Sequence, residues 1–214
     1  MRSILFFLYI VLVASCSFQE ARLAREKEAS AHHKIGLAYL NEGALQKASI
    51  ELQKAIDVDP NNSEILYALG HVYFQQENYP AAMQVFLNVL RHSPKRSDAS
   101  NYLGRVYEVQ GVFLKAIEAY QDALKNTQYE TPEKPLFNLG RVYSQLGQWD
   151  EAISSYKEVV RWVPDYSDAH YNLAQAYLKV GATPLAKKAF EKVIVLAPQS
   201  EQADIARKWI ESAQ

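Results

Sequence analysis

Residues 136–164 of the 214-residue chain read LFNLGRVYSQLGQWDEAISSYKEVVRWVP, and this stretch decides the fold. Gly140 follows a leucine, and after it come a tyrosine at the third position and an alanine at the twelfth. Apolar residues recur at helical spacing in two runs of about 13 residues each, the pattern of two amphipathic helices. Pro164 closes the second run, because proline cannot continue a helix. The stretch therefore predicts a helical hairpin.

The same pattern occurs five times along the chain. Its small residues are separated by 34, 34, 36 and 34 positions and are Gly36, Gly70, Gly104, Gly140 and Ala174. The tyrosines three positions later are Tyr39, Tyr73, Tyr107, Tyr143 and Tyr177, and the alanines twelve positions later are Ala48, Ala82, Ala116, Ala152 and Ala186. Helices this short are not stable alone in water, so the hairpins must stack and share a core.

This pattern resembles the 34-residue tetratricopeptide repeat, and the resemblance covers residues 29–200. It implies an all-α fold, a right-handed superhelical solenoid of five helical hairpins followed by a C-terminal capping helix. We predict hairpins at residues 29–62, 63–96, 97–130, 133–166 and 167–200, and the capping helix at residues 201–214. In that last segment, apolar residues stand at helical spacing at Ile205, Ala206, Trp209 and Ile210.

Residues 1–15 are typical of an export signal. Ile4 to Val13 is an unbroken run of ten apolar residues, whereas a membrane-spanning helix needs about 20. The run ends in Val13-Ala14-Ser15-Cys16, which resembles the bacterial lipobox and implies cleavage before Cys16 and lipidation of its thiol. Ser17 after the cysteine implies sorting to the periplasmic face of the outer membrane, with residues 16–28 as a tether. An ordinary signal peptide or an uncleaved anchor remains the alternative.

Composition excludes several classes of function. The net charge is -1 and the charges are interspersed, so no basic stripe is available for nucleic acid. A single cysteine excludes disulfide frameworks and zinc–cysteine clusters. His32 and His170 share a repeat position on the face within the hairpin, which favours packing, and no histidine has an acidic or cysteine partner at metal-ligand spacing. We therefore expect no enzyme, no metal, no cofactor and no small-molecule substrate.

The first helix of each hairpin is expected to line a concave surface that binds a partner. Helical phase predicts three inward rows. The first contains His33, Tyr67, Asn101, Phe137 and Tyr171. The second contains Leu37, His71, Arg105, Arg141 and Gln175, and the third Leu40, Phe74, Glu108, Ser144 and Leu178. These residues suit an amphipathic helix or extended peptide with apolar anchors and an acidic group, although packing between neighbouring hairpins explains any single aromatic residue equally well.

The 36-residue spacing marks an interrupted junction between the third and fourth repeats. Gln128 stands where the other repeats have proline, and two residues are inserted. Thr131 is placed to cap a helix that Pro132 opens. Tyr129, Pro132 and the sequence Asn-Leu-Gly at 138–140 resemble the type IV pilus pilotins, lipoproteins that help a secretin ring assemble. The resemblance implies a secretin as partner; the alternative is a general periplasmic adaptor for cell-wall hydrolases or outer-membrane assembly.

Overall fold

The computed structural model describes the backbone of residues 2–213 and the side chains of residues 19–213. The Cys16 side chain lies outside the described residues. Across residues 2–213 the chain forms eleven α-helices and no strand, which confirms the predicted all-α fold class. The helices are α1 (Arg2–Asn41), α2 (Leu45–Val58), α3 (Ser63–Gln75), α4 (Tyr79–His92), α5 (Ser97–Val109), α6 (Phe113–Leu124), α7 (Glu133–Gln145), α8 (Trp149–Trp162), α9 (Ser167–Lys179), α10 (Thr183–Leu196) and α11 (Glu201–Ser212). None of the helices, as far as they are described, is long and apolar enough to span a membrane.

Contacts divide the helices into two compact units, and the first ends at Pro94. In this unit α1 packs against α2 and α3 against α4, while α2 also packs against α3. Leu52 of α2 and Val72 of α3 are fully buried in the resulting core. Burial of one such aliphatic side chain stabilises by about 1.5–3 kcal/mol, so two neighbouring hairpins stabilise each other.

The second unit begins at Lys95 and contains three further helix pairs, α5 with α6, α7 with α8, and α9 with α10. The first helices of these pairs are neighbours, since α5 contacts α7 and α7 contacts α9. Helix α11 covers the last pair: Ala206 is buried, and the Trp209 ring lies 5.1 Å from the Phe190 ring. Ile205 belongs to the outer side of α11 and is 39% exposed.

The predicted tether overlaps the first helix. Residues 19–28 continue α1 towards its N-terminus, and all their side chains are exposed. Arg22 and Glu26 form an ion pair one helical turn apart, with 2.8 Å between Nε and Oε1. This segment is therefore a solvated helix that projects from the first hairpin.

The small residue of each first helix sits against a large side chain of the second helix. A Cβ atom added at Gly104 would lie 2.5 Å from Cε1 of Tyr120, and one at Gly140 would lie 2.5 Å from Cε1 of Tyr156. Both tyrosines are buried, at 0% and 1% exposure. Because the ring lies directly on the backbone of the first helix, glycine sets the distance between the two helices of the hairpin.

The linker after the third hairpin is longer than the others. Residues 125–132 join α6 to α7, whereas residues 93–96 and 163–166 make four-residue linkers. The linker folds back on the start of its own hairpin, where Asn126 Nδ2 donates to the Lys95 carbonyl at 3.3 Å. The prediction that Thr131 caps α7 is wrong. Pro132 occupies the N-cap position, and no side chain bonds the first amides there, because proline has no polar side chain.

We expect Gly104→Ala to destabilise the protein by about 1–3 kcal/mol, because the new methyl group overpacks against the buried Tyr120 ring. The measurement is thermal and urea unfolding followed by circular dichroism. Ala174→Gly is the matched control, since the fifth repeat already accommodates a Cβ at this position. It should lose at most about 1 kcal/mol, the difference in helix propensity. A more stable Gly104→Ala protein would show that propensity, not close packing, governs the site.

Candidate partner-binding surface

The predicted binding residues of the second unit lie on three neighbouring helices. Helices α5, α7 and α9 each contribute one residue to every predicted row. We call the surface formed by these nine residues the first-helix surface: Asn101, Arg105, Glu108, Phe137, Arg141, Ser144, Tyr171, Gln175 and Leu178. The three rows differ in how much of each side chain remains accessible.

The first row is largely used for packing within and between repeats. Asn101 is 5% exposed, and its Oδ1 accepts a hydrogen bond of 3.0 Å from Nδ2 of the buried Asn138. Phe137 stacks on Tyr166, with ring centroids 5.1 Å apart, and meets the edge of Tyr156 at 5.8 Å. The side chains of Asn101 and Phe137 therefore make packing contacts within the protein, the alternative to partner binding. Asn101 has little surface left for a partner.

Tyr171 keeps a polar group at the end of the same row. Its ring meets Phe190 edge-on at 6.0 Å, while its hydroxyl accepts a hydrogen bond of 3.1 Å from Gln175 Nε2. Both residues are half-buried. This pair leaves an amide and a hydroxyl near the surface of α9.

The centre of the surface is a three-residue network. The Glu108 side chain is only 8% exposed, and its Oε1 accepts hydrogen bonds from Arg141 Nη2 at 2.5 Å and Nε at 3.2 Å. Its other oxygen, Oε2, accepts from the buried Tyr120 hydroxyl at 2.7 Å. Arg141 is 44% exposed. Two residues predicted as partner contacts therefore also bind each other, across the junction between the third and fourth repeats.

Burial and the neighbouring carboxylate determine the protonation of Tyr120. Burial, followed by the charge of Glu108, raises the pKa of the Tyr120 hydroxyl far above its ordinary value of 10. The positive charges of Arg141 and Arg105 oppose this rise. Tyr120 is thus a hydrogen-bond donor throughout the neutral range, and Glu108 is the acceptor it needs. Arg105 also lies 4.9 Å over the Tyr102 ring.

Sequence reasoning missed this network, although a signal for it exists. In each repeat, the residues four and sixteen positions after the small residue agree in polarity. The first of the two is polar where the second is a tyrosine, as in the pairs Glu108–Tyr120 and Ser144–Tyr156, whose oxygens lie 2.7 and 3.5 Å apart. It is apolar in the remaining pairs, Leu40–Leu52, Phe74–Phe86 and Leu178–Phe190. A buried hydroxyl requires a polar neighbour, and the repeat alignment displays that requirement.

The predicted residues of the first unit are half-buried. Tyr67 lies 6.1 Å from Phe86, and Phe74 meets Tyr79 edge-on at 5.6 Å. His71 shares a 3.0 Å hydrogen bond with Gln75. Desolvation lowers the pKa of His33, with partial opposition from the Glu64 carboxylate. Leu37 and Leu40 pack against the core of this unit.

One histidine has a carboxylate partner that the sequence spacing did not reveal. His32 Nδ1 lies 2.7 Å from Oε2 of Glu51, on the facing helix of its hairpin. Glu51 Oε1 also accepts from Lys54 Nζ at 2.7 Å. His170, at the equivalent repeat position, contacts the Pro164 carbonyl at 2.9 Å. Within the described residues, no group of three or more acidic, histidine or cysteine side chains could hold a metal ion.

A cavity of about 500 Å³ lies in the first unit. It occupies the notch where α1 continues past the end of α2. Its lining residues are Ala21, Arg22, Arg25, Glu26, Val58 and Asp59. None of the predicted site residues belongs to it.

Short amphipathic helices that pair and stack in this way define a helical-repeat protein, a class that binds other proteins through the surfaces of its stacked helices. Profiles of the tetratricopeptide repeat match residues 36–77, 67–131, 140–181 and 167–200. These matches together span residues 36–131 and 140–200, most of the chain. The chain belongs to the tetratricopeptide repeat family.

Curated relatives come from several systems. The protein CTR9 homolog of Arabidopsis thaliana is 27% identical over 164 residues, covering 74% of this chain and 15% of that protein. The type IV pilus assembly protein PilF of Pseudomonas aeruginosa is 28% identical over 139 residues, covering 64% of this chain and 54% of PilF. The chain thus spans only a part of each of these relatives.

Solved structures share the fold. The Pseudomonas aeruginosa PilF structure has a TM-score of 0.76 at 20% identity, covering 83% of this chain and 80% of that one. PilW, described as a widely conserved type IV pilus biogenesis factor, has a TM-score of 0.73 at 18% identity, covering 81% and 79%. YrrB, described as having an unusual peptide-binding site, has a TM-score of 0.69 at 25% identity, covering 89% and 97%.

We expect Arg141→Gln to destabilise the protein by about 1–3 kcal/mol, because it leaves the nearly buried Glu108 carboxylate without its cation. Glu108→Gln in the same background should recover part of this loss. A double-mutant cycle of unfolding free energies measures the coupling, which should exceed about 0.5 kcal/mol. The control cycle uses Arg161 and Glu158, an ion pair whose side chains are 70% and 41% exposed and whose expected coupling is about 0.3–0.5 kcal/mol. Equal coupling in the two cycles would contradict a special role for the network.

We expect Glu51→Gln to reduce the loss of stability that the protein shows as pH falls from 7 to 3. The hydrogen bond from Lys54, and then that from His32, lowers the pKa of Glu51 in the folded protein. The unfolded chain therefore takes up the proton first, and the stabilisation from Glu51 is lost as pH falls below about 5. Melting temperatures from pH 7 to pH 3 test this, with Asp57→Asn on the same helix as control. Parallel wild-type and Glu51→Gln profiles would refute it.

Proposed function

We propose that the chain is a lipid-anchored tetratricopeptide scaffold that assists secretin assembly in type IV pilus biogenesis. The observation that carries the proposal is the 28% identity to the pilus assembly protein PilF over 139 residues. The sequence ending at Cys16 and the interrupted junction at residues 125–132 support it independently. The shared family by itself supports only protein binding.

The first-helix surface supports a protein or peptide as the ligand. It presents amide, hydroxyl, guanidinium and aliphatic groups on three neighbouring helices, a mixture that suits a peptide segment. The balanced charge of the chain gives nucleic acid no basic stripe to bind. The fold is that of protein-interaction proteins, and we propose a binding role without catalysis.

Membrane attachment would position this surface in the cell envelope. We propose lipidation at Cys16 and a location on the periplasmic face of the outer membrane. A helical segment from Cys16 to Ala29 would hold the first hairpin about 20 Å from the lipid, at 1.5 Å per residue. More than one acyl chain is needed for such an anchor to be stable.

A general periplasmic adaptor for cell-wall hydrolases or outer-membrane assembly is the second candidate function. The 27% identity to the CTR9 homolog of a plant is as high as the 28% identity to PilF, as expected if the similarity records a repeat scaffold that adaptors share. A secretin or pilus gene beside this one would favour the pilus role. Hydrolase genes there would favour the adaptor.

Deletion of the gene should abolish the heat- and detergent-resistant secretin multimers and the surface pili. Complementation with the wild-type gene should restore both. Cys16→Ser should no longer incorporate labelled fatty acid and should restore few multimers, whereas Ser17→Ala should behave as wild type. Metabolic labelling with palmitate, immunoblots of membrane fractions and electron microscopy provide the measurements. Unchanged multimers and pili in the deletion strain would rule out the pilus role, and equal labelling of the wild-type and Cys16→Ser proteins would rule out the anchor.

A further inference from the structure

Within residues 19–213, whose side chains the structure describes, the Arg141 guanidinium uses one of its two hydrogen-bonding edges. Nε and Nη2 both donate to the same oxygen of Glu108. A guanidinium has five N–H groups, so both hydrogens of Nη1 and one of Nη2 are not used by Glu108. The Arg141 side chain remains 44% exposed, while that of Glu108 is 8% exposed. The carboxylate thus lies on the inner side of the guanidinium and solvent on the outer side.

The inner contacts hold the guanidinium in one orientation. Glu108 is itself fixed by the Tyr120 hydroxyl, and the Tyr120 ring is fully buried against Gly104. A long arginine side chain normally loses considerable rotamer entropy when it binds a ligand. Here most of that loss has occurred within the fold, so the outer edge is ready to bind a ligand.

We propose that the outer edge of Arg141 is a receptor for a carboxylate carried by a bound peptide segment. Two parallel N–H groups match the two oxygens of one carboxylate in a bidentate pair. The inference rests on the proposed peptide-binding role and assigns the chemistry of one contact within it.

The test starts from peptides selected against the protein itself. A random dodecapeptide phage library is panned on the full-length chain in detergent micelles, and enriched peptides are synthesised. Each acidic residue is then replaced by its amide, Asp→Asn or Glu→Gln. We expect one position in the peptide at which the acid binds about 10- to 100-fold more tightly than the amide, the effect of a charge-assisted hydrogen bond.

Variants of the protein assign that preference to one side chain. In Arg141→Gln the ratio of acid to amide affinity should fall to about one. Arg141→Lys keeps the charge opposite Glu108 and should remain folded. Because lysine lacks two parallel N–H groups, this variant should lose most of the preference for the acid over the amide. Arg161→Gln removes the same charge from an exposed ion pair of the same unit and should leave the ratio unchanged. Circular dichroism verifies that each variant is folded.

The outcomes separate this inference from the proposed function. An acid preference that survives in both Arg141 variants overturns the receptor. Enriched peptides that bind equally well as acid and amide overturn it too, while peptide binding itself stands. If no peptide is enriched, the receptor and the peptide-binding role fail together.

Discussion

The contact on which the rest of the structure depends is the close approach of the two helices within each hairpin. At Gly104 the first helix has no side chain, so the Tyr120 ring lies directly on its backbone and is fully buried. A buried ring carries its hydroxyl into the interior, where an oxygen without a partner would cost about 1–3 kcal/mol. Glu108 accepts that hydroxyl and in turn binds Arg141. The absence of one methyl group thus leads, step by step, to the chemistry of the surface.

Repeat periodicity predicted the helices well because it records what each hairpin needs locally. Small residue, tyrosine and alanine recur at fixed spacings, and the helices follow these positions. Contacts between repeats could not be predicted in the same way. Helical phase placed Glu108 and Arg141 in adjacent rows, but whether two such side chains meet depends on the offset between stacked hairpins. The pair Asn101–Asn138 was missed for the same reason.

The longer linker before α7 shows why the repeats stay in register beyond it. Doubling a loop from four to eight residues costs only about 0.6 kcal/mol in closure entropy. The polar contacts across this junction, Glu108 with Arg141 and Asn138 with Asn101, are of the size needed to offset that cost. At the next junction, with its four-residue linker, Phe137 stands at the repeat position of Asn101 and stacks on Tyr166 of the linker. At the junction with the two inserted residues, polar contacts join the repeats, and the helix pairs on either side are intact.

Comparison among the repeats of this one chain separates scaffold from recognition. The positions that set the helix approach carry glycine or alanine in every repeat. The second row of the predicted surface instead reads Leu37, His71, Arg105, Arg141 and Gln175. Positions that fix the approach of the two helices keep one chemistry, whereas positions that bind a ligand without internal symmetry need not. Because relatives with unrelated roles share the scaffold, overall identity to them measures mainly the constant positions. The choice of partner therefore depends on the positions at which the repeats of this chain carry different residues.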